Sequence, residues 1–102
     1  MPANALPPIS EAAFQRQVIQ LARMLGWRTY HTLDSRGSSA GFPDLVLSRG
    51  GRLIFAELKS DVGRVRKEQS EWLAGLRAVE SEAVGVYLWR PADLDEIAGV
   101  LR

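Results

Sequence analysis

Asp44 follows Pro43, Glu57 stands thirteen residues later, and Lys59 lies two residues beyond that. Carboxylates are the ligands a hard divalent cation takes, and a lysine is a compact positive charge that can be aimed at a phosphate. Whether the three meet depends on the chain between them. Leu45-Val46-Leu47 and Leu53-Ile54-Phe55-Ala56 are apolar runs with Gly50-Gly51 between, which reads as a β-hairpin closed by a two-residue turn. With the glycines as the loop, Arg49 faces Arg52, and counting back sets Asp44 opposite Glu57. Directly opposed residues have Cβ atoms about 4.5–5.5 Å apart, and like charges there repel. A cation such as Mg²⁺, which takes one or two carboxylates and keeps several waters, would remove that penalty. Lys59 points to the same face as Glu57. The three side chains together compose a metal-and-lysine hydrolytic site.

Each of these residues also has a plainer reading. An aspartate after proline is a common turn residue. Glu57 and Lys59 could be opposite charges on a solvated strand. Against this, both share a strand face with Val46 and Phe55, which read as buried, and a buried face seldom carries charge unless it is paired or binds metal.

The flanking elements must position the hairpin. Residues 1–9 read as a flexible lead and residues 10–102 as one domain. Ser10 is a suitable N-cap for a helix over residues 11–25, ended by Gly26. Phe14, Val18, Leu21, Ala22 and Leu25 mark its buried stripe, with Glu11 and Gln15 on or beside it. A strand is expected over 27–32, a polar loop over 33–41 and the hairpin over 43–59. Both hairpin faces are apolar, which implies a sheet covered on both sides. A turn over 60–63 leads to a helix from 65 or 66 to 79, with Trp72, Leu73, Leu76 and Val79 as its stripe and Gln69 on the same side. A strand over 83–89 and a helix over 92–101, opened by Pro91, complete an α-β-β-β-α-β-α order. The fold class is α/β, a mixed sheet flanked by helices.

Composition narrows the function classes. The chain has 102 residues, 46% hydrophobic and 25% charged, which fits one soluble domain. It has no cysteine, which excludes disulfides and thiolate metal sites. With one histidine, His31, a zinc site is disfavoured, and a structural strand residue is the default for His31. No apolar run is long enough to span a bilayer, and the first residues lack the pattern of a secretory signal. A cytoplasmic location is the expectation. A net charge of +1 does not by itself announce a nucleic-acid partner. Arg64, Arg66 and Lys67 cluster after the Glu-x-Lys strand, and Arg36 precedes the glycine-proline turn; these could meet phosphates, or line a solvated loop. Trp27, Trp72 and Trp89 could stack bases, but each lies on an apolar pattern, so core packing is the default.

Pro43-Asp44 followed by Glu57-Leu58-Lys59 resembles the motif of the PD-(D/E)xK, restriction-endonuclease-like nucleases. Glu11 with Phe14-Gln15, Gly26-Trp27, Gly41-Phe42-Pro43-Asp44 and Gln69 make the chain similar to their VRR-NUC branch, in its small stand-alone phage and bacterial form. The resemblance runs from about residue 10 to the end. It implies that Asp44, Glu57 and the backbone carbonyl of Leu58 bind Mg²⁺ or Mn²⁺, with Glu11 holding a metal-bound water or a second ion. It implies that Lys59 orients the attacking water and that Gln69 supports Lys59 or the nucleophile. It further implies a DNA endonuclease, acting on branched or four-way-junction DNA as a homodimer. The alternatives are a 5′ flap nuclease, exonuclease or restriction-type nuclease on the same site, a DNA-binding module that does not cut, and a metal-binding protein unrelated to nucleic acid. Glu11 at a helix start needs no ligand to be favourable, and a boundary glutamine such as Gln69 is common.

Overall fold

The computed structural model describes residues 8–33 and 39–102. Residues 1–7 of the expected lead, and the loop residues 34–38 with Arg36, lie outside the described residues. The elements follow the order α1 (Glu11–Met24), β1 (Arg28–His31), β2 (Leu45–Arg49), β3 (Arg52–Leu58), α2 (Lys67–Arg77), β4 (Val84–Trp89) and α3 (Leu94–Leu101). A 3₁₀ turn over Pro91–Asp93 leads into α3. That turn uses the fixed φ of Pro91 at the helix entrance.

The Ser10 side chain caps α1 by accepting from the Ala13 N–H at 3.1 Å, with Glu11 in the positive first turn. Phe14, Val18 and Ala22 recur every four residues and are buried. They pack into one core with Trp27, Leu45, Leu47, Ile54, Ala56, Leu58, Trp89, Ile97 and Leu101. Burying each large member contributes about 1.5–3 kcal/mol, which fixes the register of the strands that carry them.

The sheet order is β1-β2-β3-β4. The first three strands run antiparallel, and β4 joins β3 in parallel after the crossover through α2. The hairpin register is the expected one: Arg49 faces Arg52 and Val46 faces Phe55. Its two arginines escape mutual repulsion through the C-terminal ends of helices. Arg49 donates to the carbonyls of Leu25, Leu101 and Arg102 at 2.8–2.9 Å, and Arg52 donates to Val100 at 3.2 Å. Both guanidinium groups lie over the Trp27 ring. Carbonyl-rich helix ends favour cations, so the hairpin tip locks α3 onto the sheet.

The sheet faces are unequal. Leu45, Leu47, Ile54, Ala56 and Leu58 form the fully buried face, whereas Val46 and Phe55, on the acid-bearing face, are only half-buried. That second face is covered by α2 and by Phe42, whose ring meets Phe55 and Trp72 edge-on at 6.1 and 5.0 Å. Val79, expected on the stripe of α2, is 62% exposed, because the helix ends at Arg77 and Val79 falls past its last turn.

Candidate functional site

The acidic centre begins at the N-terminal end of β2. Pro43 is buried, and its carbonyl accepts from the Thr32 hydroxyl at 2.8 Å. The Thr32 N–H donates to the Asp44 carbonyl, also at 2.8 Å. The chain before β2 is therefore pinned to the end of β1, and the Asp44 side chain turns toward β3. Its Oδ2 accepts from the Leu58 N–H at 2.8 Å. The hairpin register, extended by one residue, sets Asp44 opposite Glu57 as expected.

Glu57 is 1% exposed. Its Oε2 accepts from the Gln69 side-chain amide at 2.7 Å and stands 3.7 Å from the Lys59 ammonium. Its Oε1 is buried with no hydrogen-bond partner. Burial, followed by the Asp44 charge, pushes the Glu57 carboxyl up to about 8, and the Lys59 charge only partly offsets this. Asp44 is also raised by burial, against the opposing pull of the Leu58 N–H, Lys59 and Arg66. Without a cation the two acids resist joint ionisation, because desolvated like charges repel.

Glu11 reaches the same point from the first turn of α1. Oxygens of Glu11, Asp44 and Glu57 lie within 4.8 Å of one another. The three acids, far apart in sequence, meet because α1 starts where β2 begins and β3 ends. A divalent cation fits this set. It would take up the orphaned Oε1 and the charge that the protein itself leaves uncompensated.

Lys59 is buried, and its N–H is held by the Trp89 carbonyl at 3.0 Å. Gln69 is buried on α2, where its Oε1 accepts from the Arg66 N–H at 2.9 Å, as in one half of a capping box. Its partner across the site is the Glu57 carboxylate, whose same oxygen stands 3.7 Å from the Lys59 ammonium. Arg66 lines, with Thr32, Asp44 and Gln69, a polar cavity of about 280 Å³ at the mouth of the centre. Arg64 and Lys67 are exposed on the approach to α2. His31 is half-buried in β1, and it is not among the acidic set.

One positioning residue, Arg90, escaped sequence reasoning, and so did the contact made by another, Gly41. Arg90 donates to the carbonyls of Ser60 and Gly63 at 2.7 and 2.8 Å, which holds the turn directly after Lys59. An arginine before a proline carries no signal of carbonyl partners some thirty residues back. Gly41 has φ +90° and lies against the backbone of Glu68 and Gln69, so that only a residue without a side chain fits. The glycine beside Phe42-Pro43 was visible in the sequence, but the helix it touches was not.

Residues 7–87 match the sequence model of the VRR-NUC domain family. A solved structure described as a VRR_NUC domain protein is similar to the whole fold, with a TM-score of 0.69 at 19% identity. The match covers 93% of this chain and 87% of that one. No curated protein matches the chain.

Proposed function

We propose that this chain, which belongs to the VRR-NUC domain family of nuclease type, is a metal-dependent endonuclease that hydrolyses DNA phosphodiester bonds. The observation that carries the reading is the buried Glu57 carboxylate, with one oxygen unpartnered, placed among Glu11, Asp44 and Lys59. The nuclease unit is residues 10–102. Asp44, Glu57 and the Leu58 carbonyl would hold Mg²⁺ or Mn²⁺, and Glu11 would hold a metal-bound water or a second ion. Such an ion, when bound, acidifies water and stabilises charge on a phosphate.

The protein's own groups supply the rest. Lys59 orients the attacking water and sets a positive charge beside the phosphate, in a buried setting where such a charge acts strongly. Gln69 holds Glu57 in its rotamer. Arg66 faces the cavity at the mouth of the site, and Arg64, Lys67 and Arg36 meet the flanking phosphates. A homodimer would present two such centres to a branched or four-way-junction DNA. No helix among the described residues is long and apolar enough to cross a membrane; a cytoplasmic location belongs to this proposal and does not follow from that absence.

The test is cleavage of single-strand, duplex, 5′ flap, splayed-arm and four-way-junction DNA with Mg²⁺ or Mn²⁺. Lys59→Ala protein and an EDTA lane run beside the wild type. Cutting that vanishes in both controls is expected, and paired nicks on the junction would support the dimer. Folded protein that binds these DNAs and cuts none would overturn the reading in favour of a binding module.

A further inference from the structure

Beside the acidic centre lies a second cavity, of about 250 Å³, lined by Tyr30, Thr32, Ser39, Phe42 and Trp72. We propose that it is a nucleobase subsite, which takes one unpaired base next to the phosphate to be cut. The proposal rests on the nuclease reading and narrows its branched substrates to DNA with an unpaired nucleotide at the scissile position, such as a flap or splayed arm, over the fully paired four-way junction.

Continuity is the first argument. Thr32, Ser39 and Phe42 line both this cavity and the polar one that contains Asp44, Arg66 and Gln69. Tyr30 pairs with Val46 on the acid-bearing face of the sheet, and Val46 is two residues from Asp44. A nucleotide whose phosphate sits among Asp44 and Arg66 therefore has its base directed to a place one neighbouring cavity away.

Chemistry is the second argument. The walls offer three aromatic rings, and among the described residues no lysine or arginine lines them. The cavity thus suits a π face and not a phosphate. Phe42 is held by edge contacts to Phe55 and Trp72, which makes its ring a fixed wall. Tyr30 is 62% exposed, an unusual placement for a large aromatic side chain that the core does not use. The Thr32 hydroxyl is committed to the Pro43 carbonyl, which leaves Ser39 to bond the base edge and Tyr30 to stack on its face. Stacking of this kind is sequence-tolerant, since every base has a π face. A base inside a duplex cannot enter such a cavity, so selection falls on DNA structure instead of sequence.

The test is binding of splayed-arm DNA by anisotropy, with Ca²⁺ in place of Mg²⁺. Each unpaired thymine is replaced in turn by an abasic site, and wild-type, Tyr30→Ala and Tyr30→Phe proteins are compared. We expect one abasic position to weaken wild-type binding at least about fivefold. Tyr30→Ala should lose as much on intact DNA and nothing more on that abasic DNA, Tyr30→Phe should bind as wild type, and binding to full duplex should not change. No responsive position, or equal loss on duplex and splayed arm, overturns the subsite. A change in sedimenting mass for Tyr30→Ala also overturns it, by making this face a contact between copies. Cleavage with Mg²⁺ separates the two claims. Base-dependent binding without cutting removes the nuclease reading and keeps the subsite; cutting that Tyr30→Ala leaves unchanged on every substrate does the reverse.

Discussion

Raising the pH should make the ion-free protein less stable, and Glu57 is the reason. Burial and the Asp44 charge lift its carboxyl from 4.5 to about 8. Between those values the native protein keeps a proton that the unfolded chain has released. The unfolding free energy then falls as pH rises through the window, and the loss is complete above about 8. At 1.36 kcal/mol per unit the unscreened loss is about 5 kcal/mol. Water reaches the half-buried Asp44 side of the pair, and screening brings the working figure to about 2 kcal/mol. Asp44 is raised as well and acts with the same sign. Urea denaturation in EDTA at pH 5.5 and pH 8.5, for wild type and Glu57→Gln, isolates the effect. The variant should lose most of the difference. A wild-type stability that is flat or rises with pH, or a slope undiminished in Glu57→Gln, would refute the reasoning. A cation must displace the same proton, so Mg²⁺ or Mn²⁺ affinity should tighten up to about tenfold per pH unit below 8 and then level off. Calorimetry in buffers of different protonation enthalpy would show the released proton.

Four further outcomes follow from local contacts. In Gly41→Ala the new Cβ would stand 2.6 Å from the Glu68 carbonyl oxygen at a φ of +90°; a loss of about 3 kcal/mol is expected in urea melts. Gly26→Ala, at φ +89° but with its nearest neighbour the Arg49 Cδ at 3.8 Å, should cost only about 1 kcal/mol. Arg49→Lys should behave almost like Arg49→Ala in thermal melts, since an ammonium cannot reproduce three carbonyl bonds in a planar fork above Trp27. Arg90→Ala should free the Ser60–Gly63 turn, with DNA cleavage falling more than stability; equal cleavage per folded molecule would count against Arg90 as a positioning residue.

The legible part of this protein is its local part. The spacing of Asp44, Gly50-Gly51 and Glu57 encodes a hairpin register, because a strand has a period of two and a two-residue turn leaves no slack; the observed pairs match it. The stripe of α1 was readable for the same reason, as a period of 3.6 filled by Phe14, Val18 and Ala22. What was not readable depends on how one element crosses another. The faces of the hairpin looked equally apolar, yet one is the dry core and the other is partly open, because α1 and α3 share the first while α2 covers only part of the second. The arginine pair at the hairpin tip carries no sequence signal of its partners, and it clamps the helix ends.

Gln69 shows why the crossing matters to the chemistry. A glutamine three residues into a helix reads as a capping residue, and it is one, through the Arg66 N–H. The other end of the same amide holds Glu57. The start of α2 and the rotamer of the buried acid are therefore one structure. Gly41 lies against the backbone at that same turn and belongs to the loop that delivers Asp44. Fraying of the first turn of α2 would release Glu57 from Gln69 and remove the backbone that Gly41 packs against, so the geometry of the centre depends on that turn. Local signals reveal which residues can bind a cation; the packing of one helix start between two loops decides whether they are held still enough to do it.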